Sequence, residues 1–483
     1  MANERLFGTD GVRGIANKGL TAPLALRLGM AAGHWMRVER RKETGALSVA
    51  SRPVPSDWPG APDLGADRPL VVIGRDTRVS GDMLEAALVA GLAAMGVDVV
   101  NIGIAPTPAV ARIVLARGAA GGVVISASHN PFEDNGIKFF GPNGKKLPDA
   151  VEDQIERHLA DADLLDRPYG ERIGRISETC SLLEEYIEAV AATVPGKAPL
   201  KGMKLVVDCA NGAAHKLAPL ILSRLGAEIE EIHTEPDGSN INRQCGSTHP
   251  ESMMHCTRAA GACAGLALDG DADRVMLADE HGARVDGDRM MAIIALDLHV
   301  RNRLPGAAVV ATVMSNVGLE HALSEDGIRL HRSAVGDRYV AEEMDSIGAA
   351  VGGEQSGHIL LPQITPTGDG IVTALQVLRI MQETGKPLSE LAGRVKSYPQ
   401  VLRNIKVTAR KGRMDDPEIA KVIADLGSKL GNPQWLSVRA SGTEPLIRVM
   451  AQGDDDAVVN SVVSEICAII EKKLGKASEE SAA

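Results

Sequence analysis

The stretch Gly121-Gly122-Val123-Val124-Ile125-Ser126-Ala127-Ser128-His129-Asn130-Pro131 joins an apolar run to a polar loop. Its first five residues predict a strand that is buried on both faces. The loop follows at once, and the Asn-Pro step ends regular structure because a residue before proline avoids helical dihedral angles. Chemistry in α/β folds gathers at such strand ends. Ser128 or Ser126 can therefore carry a phosphoryl group, and the alternative is a polar turn that only caps the strand.

The arrangement around this strand occurs three times along the chain. Each copy has an apolar run, a helical stretch, a glycine-led second run, and a third run that ends in a polar loop. The runs begin at Leu70, Gly96 and Gly122 in the first copy, at Leu205, Gly226 and Leu266 in the second, and at Val309, Gly327 and Ala350 in the third. Alternating strands and helices predict an α/β fold with three similar domains and mixed sheets.

Residues after about 400 follow another pattern. Runs at 401–407, 435–439 and 446–450 alternate like strands, and a closing helix is expected near 458–474. This predicts a smaller C-terminal α+β domain. We expect domains at 1–173 with the serine loop, 174–283, 284–397 and 398–483.

Composition narrows the class of protein. The chain has 483 residues, 44% of them hydrophobic, and a net charge of −11. The charge argues against a nucleic-acid partner, and no apolar run approaches the roughly 20 residues of a membrane span. The six cysteines form no C-x-x-C pair, so we expect reduced, buried thiols and a cytoplasmic protein with no membrane contact.

The loop Asp269-Gly270-Asp271-Ala272-Asp273-Arg274 places three carboxylates at alternate positions. Oxygen ligands of this kind suit Mg²⁺ or Ca²⁺. An EF-hand is disfavoured, because Arg274 stands where that loop needs glycine and the flanking runs resemble strands rather than helices. The pattern favours an Mg²⁺ site that stays open to a phosphoryl group, and the alternative is a solvated acidic turn.

Two further loops carry weaker signals. In the loop Gly353-Glu354-Gln355-Ser356-Gly357-His358, a carboxylate, a hydroxyl and an imidazole can bind sugar hydroxyls, although a glycine-flanked polar turn is an equal alternative. In the loop that begins at Arg439, backbone N–H groups can form an anion site with that guanidinium, or the segment is an ordinary glycine turn. Its candidate phosphate ligands are Arg439, Ser441, Gly442, Thr443 and, as a second cation, Arg448.

The glycine-rich segment 7–14 lacks the Gly-Lys-Ser/Thr ending of a nucleotide-binding loop. Its Arg13 can instead reach a phosphoryl group. Lys138 is another cation, ten residues after Ser128. Together the loops offer a nucleophile, a metal site, sugar contacts and a phosphate site.

These loops, in this order, resemble the α-D-phosphohexomutase superfamily over nearly the whole chain, from residues 7–11 to residues 439–448. Segments 125–140, 335–340 and 367–370 are most similar to its glucosamine branch. The resemblance implies three similar α/β domains and a smaller fourth domain around a central cleft.

The resemblance also implies roles for single residues. Ser128 would be the phosphoserine and, through its phosphoryl oxygen, a ligand of Mg²⁺ beside Asp269, Asp271 and Asp273. Glu354 and Ser356 would contact sugar hydroxyls, and Arg439 with residues 441–443 would bind the distal phosphate. Arg13, Lys138 and Arg274 would stabilise the transferring group. His129, Lys138 and His358 remain open as proton-transfer groups.

The implied reaction converts glucosamine 6-phosphate into glucosamine 1-phosphate through glucosamine 1,6-bisphosphate, which also activates the dephosphorylated enzyme. Two departures from the family stand out: Ala272 replaces a frequent glycine, and residues 51–69 lengthen the first domain. We expect this insertion to affect access to the cleft or contacts in a homodimer. Alternatives are a phosphomannomutase/phosphoglucomutase, a metal-dependent serine phosphohydrolase and a non-catalytic calcium-binding protein.

Overall fold

A computed structural model of the chain describes residues 5–8, 10–39, 68–407, 416–440 and 446–474. Most of the predicted insertion, the C-terminal tail and the turn with Ser441, Gly442 and Thr443 lie outside the described residues.

Strands and helices alternate through most of the chain. The strands are β1 (Val12–Ile15), β2 (Leu70–Arg75), β3 (Asp98–Ile104), β4 (Gly121–Ile125), β5 (Asp134–Phe140), β6 (Ile176–Glu178), β7 (Lys204–Asp208), β8 (Glu228–Ile232), β9 (Ala264–Leu268), β10 (Val275–Asp279), β11 (Arg284–Val285), β12 (Ala308–Thr312), β13 (Arg329–Ser333), β14 (Gly352–Gly353), β15 (Ile359–Leu360), β16 (Gln400–Lys406), β17 (Leu436–Ala440) and β18 (Leu446–Gln452). The α-helices are α1 (Ala22–His34), α2 (Ser80–Ala94), α3 (Thr107–Arg117), α4 (Asp149–Ala160), α5 (Leu182–Ala191), α6 (Leu217–Arg224), α7 (Glu251–Ala260), α8 (Gly287–Val300), α9 (Val317–Ser324), α10 (Asp337–Ile347), α11 (Gly370–Thr384), α12 (Leu388–Ala392), α13 (Pro417–Gly427) and α14 (Asp456–Leu474).

The three predicted repeats are confirmed as one sheet plan. In each, the first strand lies between the second and the third and is parallel to both, which gives the orders β3-β2-β4, β8-β7-β9 and β13-β12-β14. Antiparallel strands extend the first two sheets, with β5 and β1 beyond β4, and β10 and β11 beyond β9. The serine, metal and sugar loops each follow the third strand of a repeat.

The second strand of each repeat starts two residues later than the sequence pattern predicts. Gly96, Gly226 and Gly327 have φ angles of +77°, +96° and +71°. Glycine tolerates this left-handed conformation, so these residues end the preceding helix instead of starting the strand.

The predicted C-terminal α+β fold is also confirmed. Strands β16, β18 and β17 form an antiparallel sheet, and α14 supplies much of the core beneath it. Aliphatic side chains dominate this core and that of the first sheet. No helix among the described residues has the length and apolar content to cross a bilayer.

The chain divides into two compact units. Unit 1 comprises Met1–Ile294 and Ser356–Leu391, and unit 2 comprises Ala295–Gln355 and Ala392–Ala483.

Within unit 1, Asp369 caps α11 by accepting hydrogen bonds from the N–H groups of Ile371 and Val372, and the Tyr186 hydroxyl donates to its other oxygen at 3.0 Å. Burial raises the pKa of Asp369 to about 6.

All six cysteines are unpaired thiols. Cys209, Cys245 and Cys467 are buried as expected, whereas Cys180 is exposed. The expectation of burial fails there because Cys180 follows β6, which is the edge strand of its sheet.

Candidate active site

The serine loop leaves β4 at Ile125 and turns sharply into the interior of unit 1. Ser128 is 1% exposed and has a φ angle of +52°, which non-glycine residues seldom adopt. Its Oγ donates a hydrogen bond to Oδ2 of Asp269 at 2.6 Å. The nucleophile candidate therefore lies in contact with the predicted metal loop, and its backbone strain is of the kind found at active sites.

A buried ion pair holds the loop in this shape. Asp76 and Arg78 are almost fully buried, and Arg78 Nε donates to Asp76 Oδ2 at 2.8 Å. The same guanidinium donates to the carbonyls of Ser128 at 2.9 Å and Asn130 at 2.8 Å. Asp76 also accepts from Ser126 Oγ at 2.7 Å. Burial raises the pKa of Asp76, and the charge of Arg78 opposes that shift.

Ser126 thus has a supporting position. Its Oγ accepts the Ser128 N–H at 2.9 Å while donating to Asp76. The chain of contacts runs from Asp76 through Ser126 to the backbone of Ser128, so only the second serine presents its hydroxyl to the metal loop.

The second sheet supports the loop from the other side. Asn242 Nδ2 donates to the carbonyls of Ser128 at 2.8 Å and Asn130 at 3.1 Å. A Cβ at Gly270 would lie 2.5 Å from the Ser128 carbonyl oxygen, so this close approach of two backbones requires glycine. Both contacts fix the serine loop against the metal loop.

The three predicted metal ligands converge. Asp269, Asp271 and Asp273 are buried, and one carboxylate oxygen from each lies within 4.8 Å of the others. Oδ1 of Asp271 and Oδ1 of Asp273 are buried without a hydrogen-bond partner among the described residues. Buried carboxylate oxygens without partners are costly unless a cation satisfies them, so the donor set fits Mg²⁺. Strands β9 and β10 flank this loop, whereas two helices flank an EF-hand loop. The structure therefore excludes an EF-hand here.

The carboxylates of the triad differ in their electrostatic surroundings. Burial and the neighbouring Asp273 and Asp271 raise the pKa of Asp269 well above its ordinary value. For Asp273, burial acts in the same direction, but His358, Lys138 and Arg274 outweigh it and lower the pKa. Asp271 accepts hydrogen bonds from Thr107 Oγ1 at 2.6 Å and from Lys138 Nζ at 2.9 Å.

Ala272, between two of these carboxylates, adopts a φ angle of +57°. The glycine that the family often has there would favour this left-handed conformation. The loop therefore adopts this conformation with alanine at the cost of local strain, and all three carboxylates converge.

Lys138 is the cation nearest to the triad. It projects from β5, is 1% exposed, and its Nζ lies 2.9 Å from Asp271 and 3.2 Å from Asp10. Burial opposes its charge, but Asp10, Asp271 and Asp273 outweigh burial and raise the pKa of Lys138. It therefore supplies a positive charge at the triad, and its role in proton transfer stays a prediction.

Arg13 and Arg274 lie at the edges of the same cluster. Arg13 is paired with Asp10, which also contacts Lys146. Arg274 Nε lies 3.7 Å from Oδ1 of Asp273. Burial opposes the charge of Asp10, but Lys138, Lys146 and Arg13 outweigh it and hold the pKa of Asp10 well below its ordinary value.

The two candidate histidines occupy different positions. His129 Nδ1 lies 3.4 Å from Ser128 Oγ, and burial together with Arg274 and Arg13 lowers the pKa of His129 to about 4. His358 is 2% exposed, and its Nδ1 lies 3.6 Å from Oδ2 of Asp273. Although the sequence suggests a sugar contact for His358, its surroundings favour support of the metal loop, and sugar binding stays a prediction.

The remaining candidates fall in two groups. Ser356 is half-buried in unit 1. Unit 2 holds Glu354, whose Oε1 accepts the N–H of Gly336 at 3.2 Å, at the start of α10. Arg439 and Arg448 lie directly opposite each other on β17 and β18. Burial and the neighbouring Arg448 lower the pKa of Arg439, while Glu354 opposes the shift.

Residue types and spacing predicted candidate loops whose side chains the structure brings together in unit 1, but they missed the groups that hold the serine loop. Arg78, Asp76 and Asn242 carry the serine loop, and none was a candidate. A signal existed for Asp76 and Arg78, because the polar segment 76–78 directly follows the buried strand β2, at the same sheet edge as the serine loop.

Comparison with known families covers most of the chain. The alpha/beta/alpha domains I, II and III of phosphoglucomutase/phosphomannomutase match residues 62–166, 184–282 and 286–398, and the C-terminal domain matches residues 402–469. Among curated relatives, the phosphoglucosamine mutase of Moorella thermoacetica is 50% identical over 461 residues, covering 95% of this chain and 98% of the relative. Those of Desulforudis audaxviator and Mesorhizobium japonicum are each 48% identical, covering 96% of this chain and 97% of the relative.

Solved structures support the same fold at lower identity. A phosphoglucomutase/phosphomannomutase family protein from Burkholderia thailandensis superposes with a TM-score of 0.75 at 24% identity, covering 98% of each chain. The N-acetylphosphoglucosamine mutase of Aspergillus fumigatus, solved with GlcNAc-6P and magnesium, gives a TM-score of 0.63 at 18% identity and covers 97% of this chain and 95% of its own.

Proposed function

This chain belongs to the phosphoglucomutase/phosphomannomutase family, and from that membership we propose that it interconverts glucosamine 6-phosphate and glucosamine 1-phosphate. The observation that carries the proposal is the contact between Ser128 Oγ and Asp269, inside a triad of converging carboxylates. The names of relatives at about 48% identity support glucosamine as the sugar.

In the proposed reaction, phospho-Ser128 gives its phosphoryl group to a sugar hydroxyl oxygen. The new O–P bond forms as the Ser128 Oγ–P bond breaks, and the proton of the sugar hydroxyl ends on Oγ. The 1,6-bisphosphate then turns end for end and returns its other phosphoryl group to Oγ, as the sugar O–P bond at that end breaks and the proton passes from Oγ to the sugar oxygen. The supports for Ser128 favour this role, because Arg78, Asn242 and Ser126 hold its backbone while leaving the hydroxyl directed at the triad.

Charge on the transferring group requires compensation. Lys138, with its raised pKa, keeps a permanent positive charge at the triad, and Arg13 and Arg274 extend that field. Asp269, Asp271 and Asp273 would hold Mg²⁺, which when bound would offset negative charge on the phosphoryl oxygens. His129 is neutral near pH 7 and lies beside Oγ, which supports a role in proton transfer or in orienting the serine.

Arg439 and Arg448 support a phosphate site in unit 2. Two like charges directly opposite on neighbouring strands repel each other, and a bound anion would relieve that repulsion. We propose that they bind the phosphate that is not being transferred, together with Ser441, Gly442 and Thr443. Glu354 and Ser356 are proposed to contact sugar hydroxyls.

The six unpaired cysteines favour a reducing compartment, such as the cytoplasm, as the location of the protein.

A substrate panel tests the proposal. Glucosamine, glucose and mannose 6-phosphates are compared with and without the matching 1,6-bisphosphate, using dephosphorylated enzyme. We expect the highest kcat/KM for glucosamine 6-phosphate and a requirement for bisphosphate. Higher kcat/KM for mannose or glucose 6-phosphate would favour the phosphomannomutase/phosphoglucomutase alternative, and release of phosphate without isomerisation would favour a phosphohydrolase.

Ser128→Ala with Ser126→Ala as its matched control tests the nucleophile. Loss of the phosphoserine should lower turnover by several orders of magnitude and abolish ³²P labelling, because Ser128 Oγ is the hydroxyl that contacts Asp269. Ser126→Ala should retain labelling. If Ser126→Ala alone abolishes labelling in a folded protein, the choice of Ser128 is wrong.

A further inference from the structure

A second cluster of metal-binding side chains lies in unit 1 outside the triad. Asp208 ends strand β7, His233 directly follows the neighbouring strand β8, and Cys245 lies in the loop that leads towards α7. The carboxyl ends of parallel strands are where α/β sheets place their binding sites. None of these three side chains contributes to the proposed phosphoryl transfer.

Their ligand atoms converge. One carboxylate oxygen of Asp208, one imidazole nitrogen of His233 and Sγ of Cys245 all lie within 4.8 Å of one another. His233 Nδ1 lies 3.0 Å from Asp208 Oδ2. Tetrahedral zinc, with bonds of about 2.0–2.3 Å, places its ligand atoms roughly 3.3–3.8 Å apart. Side-chain adjustments on the order of 1 Å therefore suffice to form three bonds.

The imidazole lies close to the carboxylate without a well-aligned hydrogen bond to it. Its Nδ1 is buried and has no hydrogen-bond partner of acceptable geometry among the described residues, although Asp208 Oδ2 is near. The ring nitrogen therefore does not point along the line to that oxygen. Asp208 itself is held by the N–H groups of Ala210 at 2.8 Å and Gly246 at 3.0 Å, so the carboxylate is a fixed ligand.

Burial leaves one side of the cluster open. Asp208 and Cys245 are 0% exposed, whereas the side chain of His233 is 31% exposed. A metal can enter from the His233 side, and water can fill a fourth position. His233 also has a φ angle of +52°, a strained backbone conformation of the kind found at functional sites.

From this convergence we propose that Asp208, His233 and Cys245 form a Zn²⁺ site separate from the carboxylate triad. Mixed sulfur, nitrogen and oxygen ligands suit zinc, whereas Mg²⁺ prefers oxygen ligands alone. Binding displaces the thiol proton of Cys245 and any proton held on Nδ1 of His233, so zinc binding releases protons to the solvent. The inference does not depend on the proposed mutase reaction.

The site has a structural connection to the serine loop. Asn242, three residues before Cys245, donates hydrogen bonds to the carbonyls of Ser128 and Asn130. Its own N–H donates to the carbonyl of Ala210, two residues after Asp208. A metal that joins Cys245 to Asp208 therefore fixes both ends of the segment that carries Asn242.

Cobalt serves as the spectroscopic probe of the full-length protein, with zinc as the competitor. We expect one equivalent of Co²⁺ to give a near-ultraviolet thiolate-to-cobalt band and strong visible bands of tetrahedral cobalt. One equivalent of Zn²⁺ should remove them, and a large excess of Mg²⁺ should not. Absence of the thiolate band in the wild-type protein overturns the proposal.

Variants assign the ligands. Cys245→Ser should remove the thiolate band, and His233→Asn, which tolerates the left-handed backbone, should weaken zinc binding by more than the roughly 10- to 100-fold typical of a lost second-shell contact. Cys263→Ser and the triad variant Asp271→Asn are controls that should keep the band. A band that persists in Cys245→Ser, or unchanged zinc affinity in a folded His233→Asn, contradicts the site.

Discussion

Arg78 shows how much of a catalytic loop can depend on one buried side chain. Its guanidinium pairs with Asp76 and donates to the carbonyls of Ser128, Asn130 and Asp134. A planar group with five donors can satisfy so many acceptors at once, whereas lysine cannot. The loop therefore owes its shape to a residue fifty positions earlier in the chain.

Replacing Arg78 should be severe. Arg78→Met leaves the Asp76 charge buried and several carbonyls without donors, so we expect a loss of about 3–5 kcal/mol in the free energy of unfolding. Urea unfolding followed by circular dichroism measures it. The double variant Arg78→Met/Asp76→Asn should lose less than the two single variants added together, because the unpaired charge is gone.

Arg224→Met is a matched control for this prediction. Arg224 pairs with Glu184 on the exposed surface, where water already solvates both charges. The free energy of unfolding of Arg224→Met should therefore equal that of the wild-type protein within error. Equal destabilisation by the two Arg→Met changes would contradict the role given to Arg78.

Ala272 offers a test of backbone strain in the metal loop. Ala272→Gly relieves about 1 kcal/mol of left-handed strain but removes a buried methyl group and adds chain flexibility, each worth a similar amount. We therefore expect the free energy of unfolding to change by less than about 1 kcal/mol. The control Ala278→Gly, in the buried strand β10, loses its methyl with no strain to relieve and should cost about 1.5–2 kcal/mol. Equal costs would show that Ala272 is unstrained.

At the scale of elements, helix α11 is capped at its N-terminus by Asp369, a carboxyl group that changes its protonation state near neutral pH. Asp369 has a pKa of about 6 because it is buried. Since this is above the ordinary value of an aspartate, the folded chain holds the proton more tightly than the unfolded chain. The stability contributed by Asp369 should therefore fall as pH rises from about 4 to about 6, by up to about 3 kcal/mol, and stay constant above that range.

Asp369→Asn keeps the cap and removes the titration. Measured with chelator present, the stability of this variant relative to wild type should increase between pH 4.5 and pH 7.5. Asp455→Asn is the control, because Asp455 caps α14 through the same two backbone contacts but is exposed. A relative stability of Asp369→Asn that is the same at both pH values would contradict the assigned pKa.

Strand positions were predictable because buried parallel strands form continuous apolar runs. The starts of β3, β8 and β13 were predicted two residues too early, at Gly96, Gly226 and Gly327. A glycine that ends a helix and a glycine that starts a strand look alike in sequence. The convergence of Asp269, Asp271 and Asp273 followed from their alternate spacing. Contacts such as Arg78 with Ser128, or Asn242 with Asn130, join distant segments, and no local pattern encodes them.

At the scale of the whole molecule, the proposed metal ligands belong to unit 1 and the arginine pair to unit 2. We expect 5 mM Mg²⁺ to slow amide hydrogen exchange in the segments 123–138 and 265–275 after prior chelation, as binding to the folded state requires. Strands β16, β17 and β18 should exchange at unchanged rates. The same chelation should abolish mutase turnover, with recovery on adding Mg²⁺.

The triple variant with asparagine at 269, 271 and 273 is the control for that experiment. It should show no protection by Mg²⁺ in either segment, and protection that survives in it would place the ion elsewhere. The domain boundaries at 173, 283 and 397, and a homodimer, stay predictions.

Unit 1 is built from two separated pieces of chain, and this has a consequence for synthesis on the ribosome. The serine loop and the three carboxylates emerge early, but His358 and Asp369 follow only after residues 295–355 have been translated. At about 5–20 residues per second this delay is roughly 3–12 s. Until α11 has been translated, the nascent chain exposes the apolar surface that this helix will cover, so a chain released before residue 370 carries the nucleophile without the helix that completes its fold.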